Sequence, residues 1–260
     1  MSGIFGVVSK ENCIEDLFYR TDYHFHLGTA FGGMAVLDGK DINYRIKEIS
    51  SHPFRSQMSD FKNQSKANSG IGVISDYEVQ PLSVYSPFGN YALVHVGRLN
   101  NLKQLSKGKS FLEMSSGGIN PVEVISGLIN QGKDFADGIE TAQNSIEGSS
   151  SLMLLSKEGI YVARDKYGRT PIFIGKKQGA RAATFESSTF PNLGFEVDCY
   201  LGHGEIGIIH SEGYQMLKKP EDKMQICSFL WIYFGFPASS YGGINAENTR
   251  LKFGKFLADN

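Results

Sequence analysis

At 260 residues and a net charge of -1, the chain has room for one large domain, or one domain and an appendage. Hydrophobic residues make up 41% and charged residues 20%, an ordinary soluble globular composition. The near-neutral charge argues against a nucleic-acid or membrane-surface partner, and no apolar run reaches the roughly 18 residues of a membrane span. No signal peptide is visible. Cys13, Cys199 and Cys227 form no CxxC pair and fit the reduced thiols of a cytoplasmic protein. The six histidines show no metal-ligand spacing, so no metal and no cofactor are expected. His24 and His26, two apart, would share a face if their segment were a strand.

The chain opens on Met1-Ser2-Gly3-Ile4, and residues 3–9 read as a buried strand. Trimming of Met1 would leave Ser2 with a free α-amine beside its hydroxyl, a nucleophile and its base on one residue. The competing reading is an ordinary first strand with an arbitrary serine. Residues 10–29 carry a helix, which Asn12 can cap, with Ile14, Leu17 and Phe18 at helical spacing. Phe31 to Leu37 and Ile42 to Ile46 flank Asp38-Gly39, a hairpin signal. Residues 50–69 read as helix then loop, and Gly70 to Ser75 and Tyr91 to Val96 as strands. A helical connection is expected over Asn100 to Leu105, and a Ser/Gly/Lys-rich loop over 106–120. Pro121 suits a first helical turn, with Val122, Val124, Ile125, Leu128 and Ile129 on its apolar face. A second helix fits 134–146. Strands follow at 150–156, 159–164, 171–176, 181–186, 206–210 and 214–218. This order predicts an α+β fold with antiparallel sheets. From Cys227 to Phe236 the chain is apolar and aromatic, either a buried strand or a docking surface, and 246–258 reads as a polar helix.

Several pieces, in this order, resemble the class II glutamine amidotransferase domain, most of all the N-terminal glutaminase half of amidophosphoribosyltransferases. They are Ser2 to Val7, His26-Leu27-Gly28 with Gly32-Gly33, Gln80-Pro81-Leu82 and Ser86 to Gly89. Ala92 to Asn101, Ala163 to Pro171, Glu186-Ser187, Leu193 to Phe195 and Gly204 to Ile206 complete the set. The resemblance implies a four-layer αββα N-terminal-nucleophile hydrolase sandwich of two antiparallel sheets. It also implies a glutaminase-like domain over 1–222. Residues 223–260 would be a linker and the start of a second, phosphoribosyltransferase-like domain.

The departures fall on the catalytic positions that the resemblance implies. Ser2 stands where the family has a nucleophilic cysteine. Val96 replaces the asparagine that supplies an oxyanion donor, while the Gly97 backbone N–H remains. Ser75 replaces the arginine that clamps the glutamine carboxylate, and Asp76 would repel a carboxylate if it faced the pocket. Pro121 falls where an aspartate holds the substrate amine, and Leu27 replaces another arginine. Arg164, Asp165 and Pro171 persist and read as scaffold.

Nucleophile, oxyanion donor and both ends of the clamp thus change together. The expected function is a glutamine amidotransferase domain with a degenerate site, acting as a non-catalytic binding, structural or regulatory part. Two alternatives stand beside it: an N-terminal serine amide hydrolase with an altered substrate, and a still-active amidotransferase of purine biosynthesis. The partners expected are a small amide or amino-acid ligand, a phosphoribosyltransferase-like domain or partner chain docking at 227–243, and further copies of the chain in a homo-oligomer.

Overall fold

The structure, a computed structural model, describes residues 2–108, 117–225 and 227–260. Met1 and residues 109–116, part of the loop expected over 106–120, lie outside the described residues. The chain begins with β1 (Ser2–Ser9), α1 (Ile14–Asp22), the hairpin β2 (Phe31–Asp38) and β3 (Asp41–Glu48), α2 (Phe54–Gln64) and β4 (Ser69–Ser75). Next come β5 (Leu82–Val84), β6 (Tyr91–Leu99), α3 (Leu102–Leu105), α4 (Pro121–Ile129) and α5 (Phe135–Ser145). Six strands follow: β7 (Gly148–Ser156), β8 (Gly159–Ala163), β9 (Phe173–Lys177), β10 (Ala180–Thr184), β11 (Glu196–Tyr200) and β12 (Ile206–His210). After them lie β13 (Gly213–Lys218), a short β14 (Ser240–Tyr241) and β15 (Ile244–Asn245), and α6 (Ala246–Asp259).

Two antiparallel sheets carry the fold. One runs β11-β9-β10-β1-β4-β2-β3 and the other β13-β12-β8-β7-β6-β5. Strand alternation sends one set of side chains between the sheets and the other toward helices. On β6, Ala92, Val94 and Val96 join Ile4, Val73, Met153 and Val162 in the core between the sheets. Tyr91, Leu93 and Leu99 join Val122, Ile125, Ile129, Phe135 and Ile139 of α4 and α5 on the outer face. On the far side, α1 lies so close to β4 that a Cβ on Gly72 would stand 1.9 Å from Thr21 Oγ1. Helices thus cover both outer faces, giving the αββα arrangement.

The local signals act as their chemistry dictates. Pro121 opens α4 behind Asn120, whose Oδ1 accepts from Val122 N–H at 3.2 Å. Asp134 caps α5 by accepting from Asp137 N–H at 2.9 Å. Asn12 is not the cap of α1, a position that falls to Cys13; its Oδ1 accepts from Ile14 N–H at 3.4 Å and from Ala67 N–H at 3.0 Å, pinning the β4 approach to the start of α1. Beyond β5, the Gln80 side chain meets the His95 backbone twice, accepting from its N–H at 2.8 Å and donating to its carbonyl at 3.1 Å.

Three expectations need correction. The helix over 10–29 ends at Asp22, and His24 and His26 lie around a 3-10 turn (Phe25–Leu27) instead of on a strand. Cys227 to Phe236 is not a strand: Leu230–Phe234 forms a wide π-helical turn, with Gly235 N–H donating to Leu230 O at 2.9 Å, that buries Leu230 while leaving Ile232 and Tyr233 exposed. Its apolar residues follow no period of two, which a half-buried strand needs. Strands β5 and β11 were not anticipated, the first being three residues long and the second carrying no clear alternation.

Candidate functional site

The site lies where β1 loses one neighbour. Its ladder with β10 starts at Phe5↔Thr184, whereas its ladder with β4 reaches back to Ser2↔Ser75. Register therefore puts the Ser2 and Ser75 side chains together on the face toward the second sheet, and both residues are buried. Ser2 Oγ lies 3.3 Å from Ser75 Oγ and 3.2 Å from Glu78 Oε2. Ser75 Oγ donates to the same carboxylate oxygen at 2.8 Å while accepting from Glu78 N–H at 3.0 Å and Tyr77 N–H at 3.3 Å. With its lone pairs taken by two N–H groups, the Ser75 hydroxyl proton is directed at Glu78.

Ser2, Tyr77 and Glu78 form one end of a cavity of about 760 Å³. Gly97, Arg98 and Pro121 line a second side, and Ser149, Arg169 and Thr170 a third. Phe185, Leu230 and Phe234 supply apolar wall. Gly97 sits at φ +142° with Ser149 O only 1.9 Å from where a Cβ would be, so no other residue fits there. The Arg169 guanidinium is engaged by Gln225 Oε1 and by the Gly148 carbonyl, the latter at 2.8 Å. Thr170 is fixed by Asp165, whose Oδ2 accepts from its N–H at 2.7 Å and its hydroxyl at 2.9 Å. Burial pushes the Asp165 carboxyl up, against the pull of these bonds. Arg164 donates to Leu201 O at 2.6 Å and Gly168 O at 2.5 Å, and lies over the Tyr200 ring. Arg164 and Asp165 thus hold the cavity rim from behind.

The cavity brings together Ser2, Gly97 and Pro121, with Ser75 bonded to its carboxylate end. Val96 is packed in the core between the sheets, and Leu27 is buried in the same hydrophobic cluster from the 3-10 turn after α1. Asp76 is not a cavity residue. Its Oδ1 accepts from Thr29 N–H at 2.8 Å and from the Thr29 hydroxyl at 3.3 Å, which turns the carboxylate away. The carboxylate in the cavity is Glu78, which the sequence reading passed over. Its signal was the Ser75-x-x-Glu78 spacing, the reach of a serine side chain to a backbone turn. His95 was passed over too. Burial lowers its pKa, against the opposing pull of Glu78, and its Nε2 has no partner among the described residues.

A second polar cluster ties the aromatic segment to the domain. The Glu186 side chain is wholly buried, its Oε2 3.1 Å from His26 Nε2. Its Oε1 accepts from Phe236 N–H at 2.8 Å and Tyr241 OH at 3.0 Å. Burial pushes its carboxyl up, but the His26 bond and the nearby His24 and His26 bring it below the usual value. His24 itself is lowered to about 4 by burial. The described residues hold no group of three His, Cys, Asp or Glu side chains placed to ligate a metal. No helix among them is long and apolar enough to cross a membrane.

The sandwich has the N-terminal-nucleophile hydrolase fold of the solved amidotransferase structures below, and the chain resembles a class II glutamine amidotransferase domain. A glutamine amidotransferase domain model matches residues 68–191. The chain is similar to the amidophosphoribosyltransferase of Methanocaldococcus jannaschii, with 28% identity over 99% of this chain and 61% of that protein. Among solved structures it is similar to a glutamine phosphoribosylpyrophosphate amidotransferase from B. subtilis complexed with ADP and GMP. There the TM-score is 0.87 and the identity 26%, over 99% of this chain and 58% of that one. A structure described as the allosteric regulatory enzyme of purine biosynthesis also gives a TM-score of 0.87, at 25% identity over 99% of this chain and 57% of that one. The chain therefore spans about three fifths of the length of these relatives.

Proposed function

We propose that this amidophosphoribosyltransferase-like domain does not hydrolyse glutamine, and that it keeps the cavity as a ligand site in a binding or regulatory role. The observation that carries the reading is the Glu78 carboxylate, bound by the Ser2 and Ser75 hydroxyls inside the cavity. Where the resemblance calls for an arginine to hold the substrate's carboxylate, a serine presents another carboxylate. Two such charges 4 Å apart repel by about 4 kcal/mol at an effective dielectric of about 20. Glutamine would have to overcome that repulsion without a clamp to orient it. Val96 adds no side-chain donor for an oxyanion, and such a donor is typically worth about 2.7–4 kcal/mol.

A second reading, an N-terminal serine amide hydrolase acting on a cationic substrate, is favoured by the 3.2 Å contact between Ser2 Oγ and Glu78. In the relatives' setting, 223–260 would lead to a phosphoribosyltransferase-like domain or a partner chain. The exposed Phe229, Tyr233 and Phe256 would face it.

Intact-mass measurement first establishes whether Ser2 is the terminal residue. Incubation with glutamine and with a glutamine-like diazo-ketone that captures terminal nucleophiles then tests the proposal. The expected result is no adduct and ammonia at the blank level. An adduct on Ser2, or ammonia above blank, would refute it.

A further inference from the structure

We infer that the cavity receives a small organic cation: a primary amine with an apolar body, its ammonium seated on Glu78. The inference rests on the reading of this cavity as a ligand site that no longer processes glutamine.

Glu78 presents a fixed carboxylate with no ion-pair partner among the described residues. Its Oε2 is held by the Ser75 and Ser2 hydroxyls, and Ser75 is held in turn by two backbone N–H groups. The carboxylate is therefore anchored toward the cavity. Its Oε1 accepts from no donor among the described residues, and the carboxylate forms no ion pair there. The nearby basic side chains among the described residues do not neutralise it. Arg169 is engaged by Gln225 and the Gly148 carbonyl. Arg98 is solvent-exposed, and its charge is screened by water. His95 is fully buried, which disfavours its charged form.

The remaining wall decides the ligand's other half. Leu102, Phe185, Leu230 and Phe234 surround a space of about 760 Å³, within the usual range for small-molecule pockets. Apolar walls lower the local dielectric and strengthen an ion pair at its polar end. A primary ammonium brings three donors, and Glu78 Oε1 and the Ser2 hydroxyl oxygen are acceptors for them. An anionic head seated at the same end would be repelled by Glu78.

Phenethylamine and 3-phenylpropionate, which share a body and carry opposite heads, are the probes. Calorimetric titration of the full chain is expected to give the amine at least about tenfold tighter binding than the acid, the scale of one charge-assisted hydrogen bond. Glu78→Gln, with its fold checked by circular dichroism, is expected to abolish that preference. Binding of the acid as tight as or tighter than the amine, no binding of the amine, or an unchanged preference in folded Glu78→Gln would overturn the inference. The wild-type comparison stands even if the variant fails to fold. Ammonia release from glutamine by the same preparation would overturn the non-hydrolysing reading while leaving the measured amine preference intact.

Discussion

Replacing Glu186 with alanine should loosen the aromatic segment before the rest of the chain. The wild-type carboxylate serves Phe236 N–H at 2.8 Å and Tyr241 OH at 3.0 Å. Each donor stranded in a buried place costs about 1–3 kcal/mol. Tyr241 is fully buried and should carry most of that cost, whereas Phe236 is half-buried and water can reach part of its backbone. Relief of the desolvation penalty on the lost carboxylate offsets some of the rest. The net loss should be about 3 kcal/mol for Glu186→Ala and about 1 kcal/mol for Glu186→Gln, which keeps an acceptor in place. Trp231, the single tryptophan, reports directly on this segment. Its Nε1 donates to Ile244 O at 3.0 Å and its ring meets Tyr241 edge-on. Urea unfolding followed by Trp fluorescence and by far-UV circular dichroism should diverge in the alanine variant, with fluorescence changing first. Coincident transitions, with a loss below about 1 kcal/mol, would refute the view that Glu186 ties the aromatic segment to the domain.

Two further outcomes follow from the same geometry. Gly97→Ala puts a Cβ against Ser149 O at a backbone angle reserved for glycine. The strain of such a conformation is about 1–3 kcal/mol, and the clash adds to it, so urea unfolding should show a loss of at least about 3 kcal/mol. His24 should make stability depend on pH. Its pKa falls from 6.5 to about 4 on folding, so between those values the unfolded chain binds the proton that the folded chain refuses. The stability it contributes is complete above pH 6.5 and is lost as pH falls toward 4, by up to about 3 kcal/mol at 1.36 kcal/mol per pH unit. Urea midpoints unchanged between pH 7 and pH 4.5 would contradict this.

The strands were legible because alternation is a local property: β1, β4, β6 and β7 each show it or run continuously apolar. β5 and β11 were hidden by shortness and by exposure, which leave no pattern to read. The 227–236 run left a buried strand and a docking surface both open because hydrophobicity reports burial against something without stating in which local geometry. At the site, Ser2 drew notice from its place behind Met1 and Gly97 from the family resemblance, and both line the cavity. Asp76 and Glu78 could not be told apart, because only the turn after β4 decides which of two neighbouring carboxylates faces inward. Glu186 was legible as part of a motif, but its partners Phe236 and Tyr241 lie 50 and 55 residues away.

Gln80 has a consequence beyond the contacts it makes. β5 pairs with β6 at Leu82↔Leu93, and the same register would bring Gln80 opposite His95. There the side-chain amide takes the part of a peptide group, offering one acceptor and one donor to the open edge of β6. A bare strand edge invites a strand from another molecule. At this buried stretch of β6 no such strand could reach, so Gln80→Ala would instead strand the His95 N–H and carbonyl without partners, a loss of about 1–3 kcal/mol for each group that urea unfolding would read.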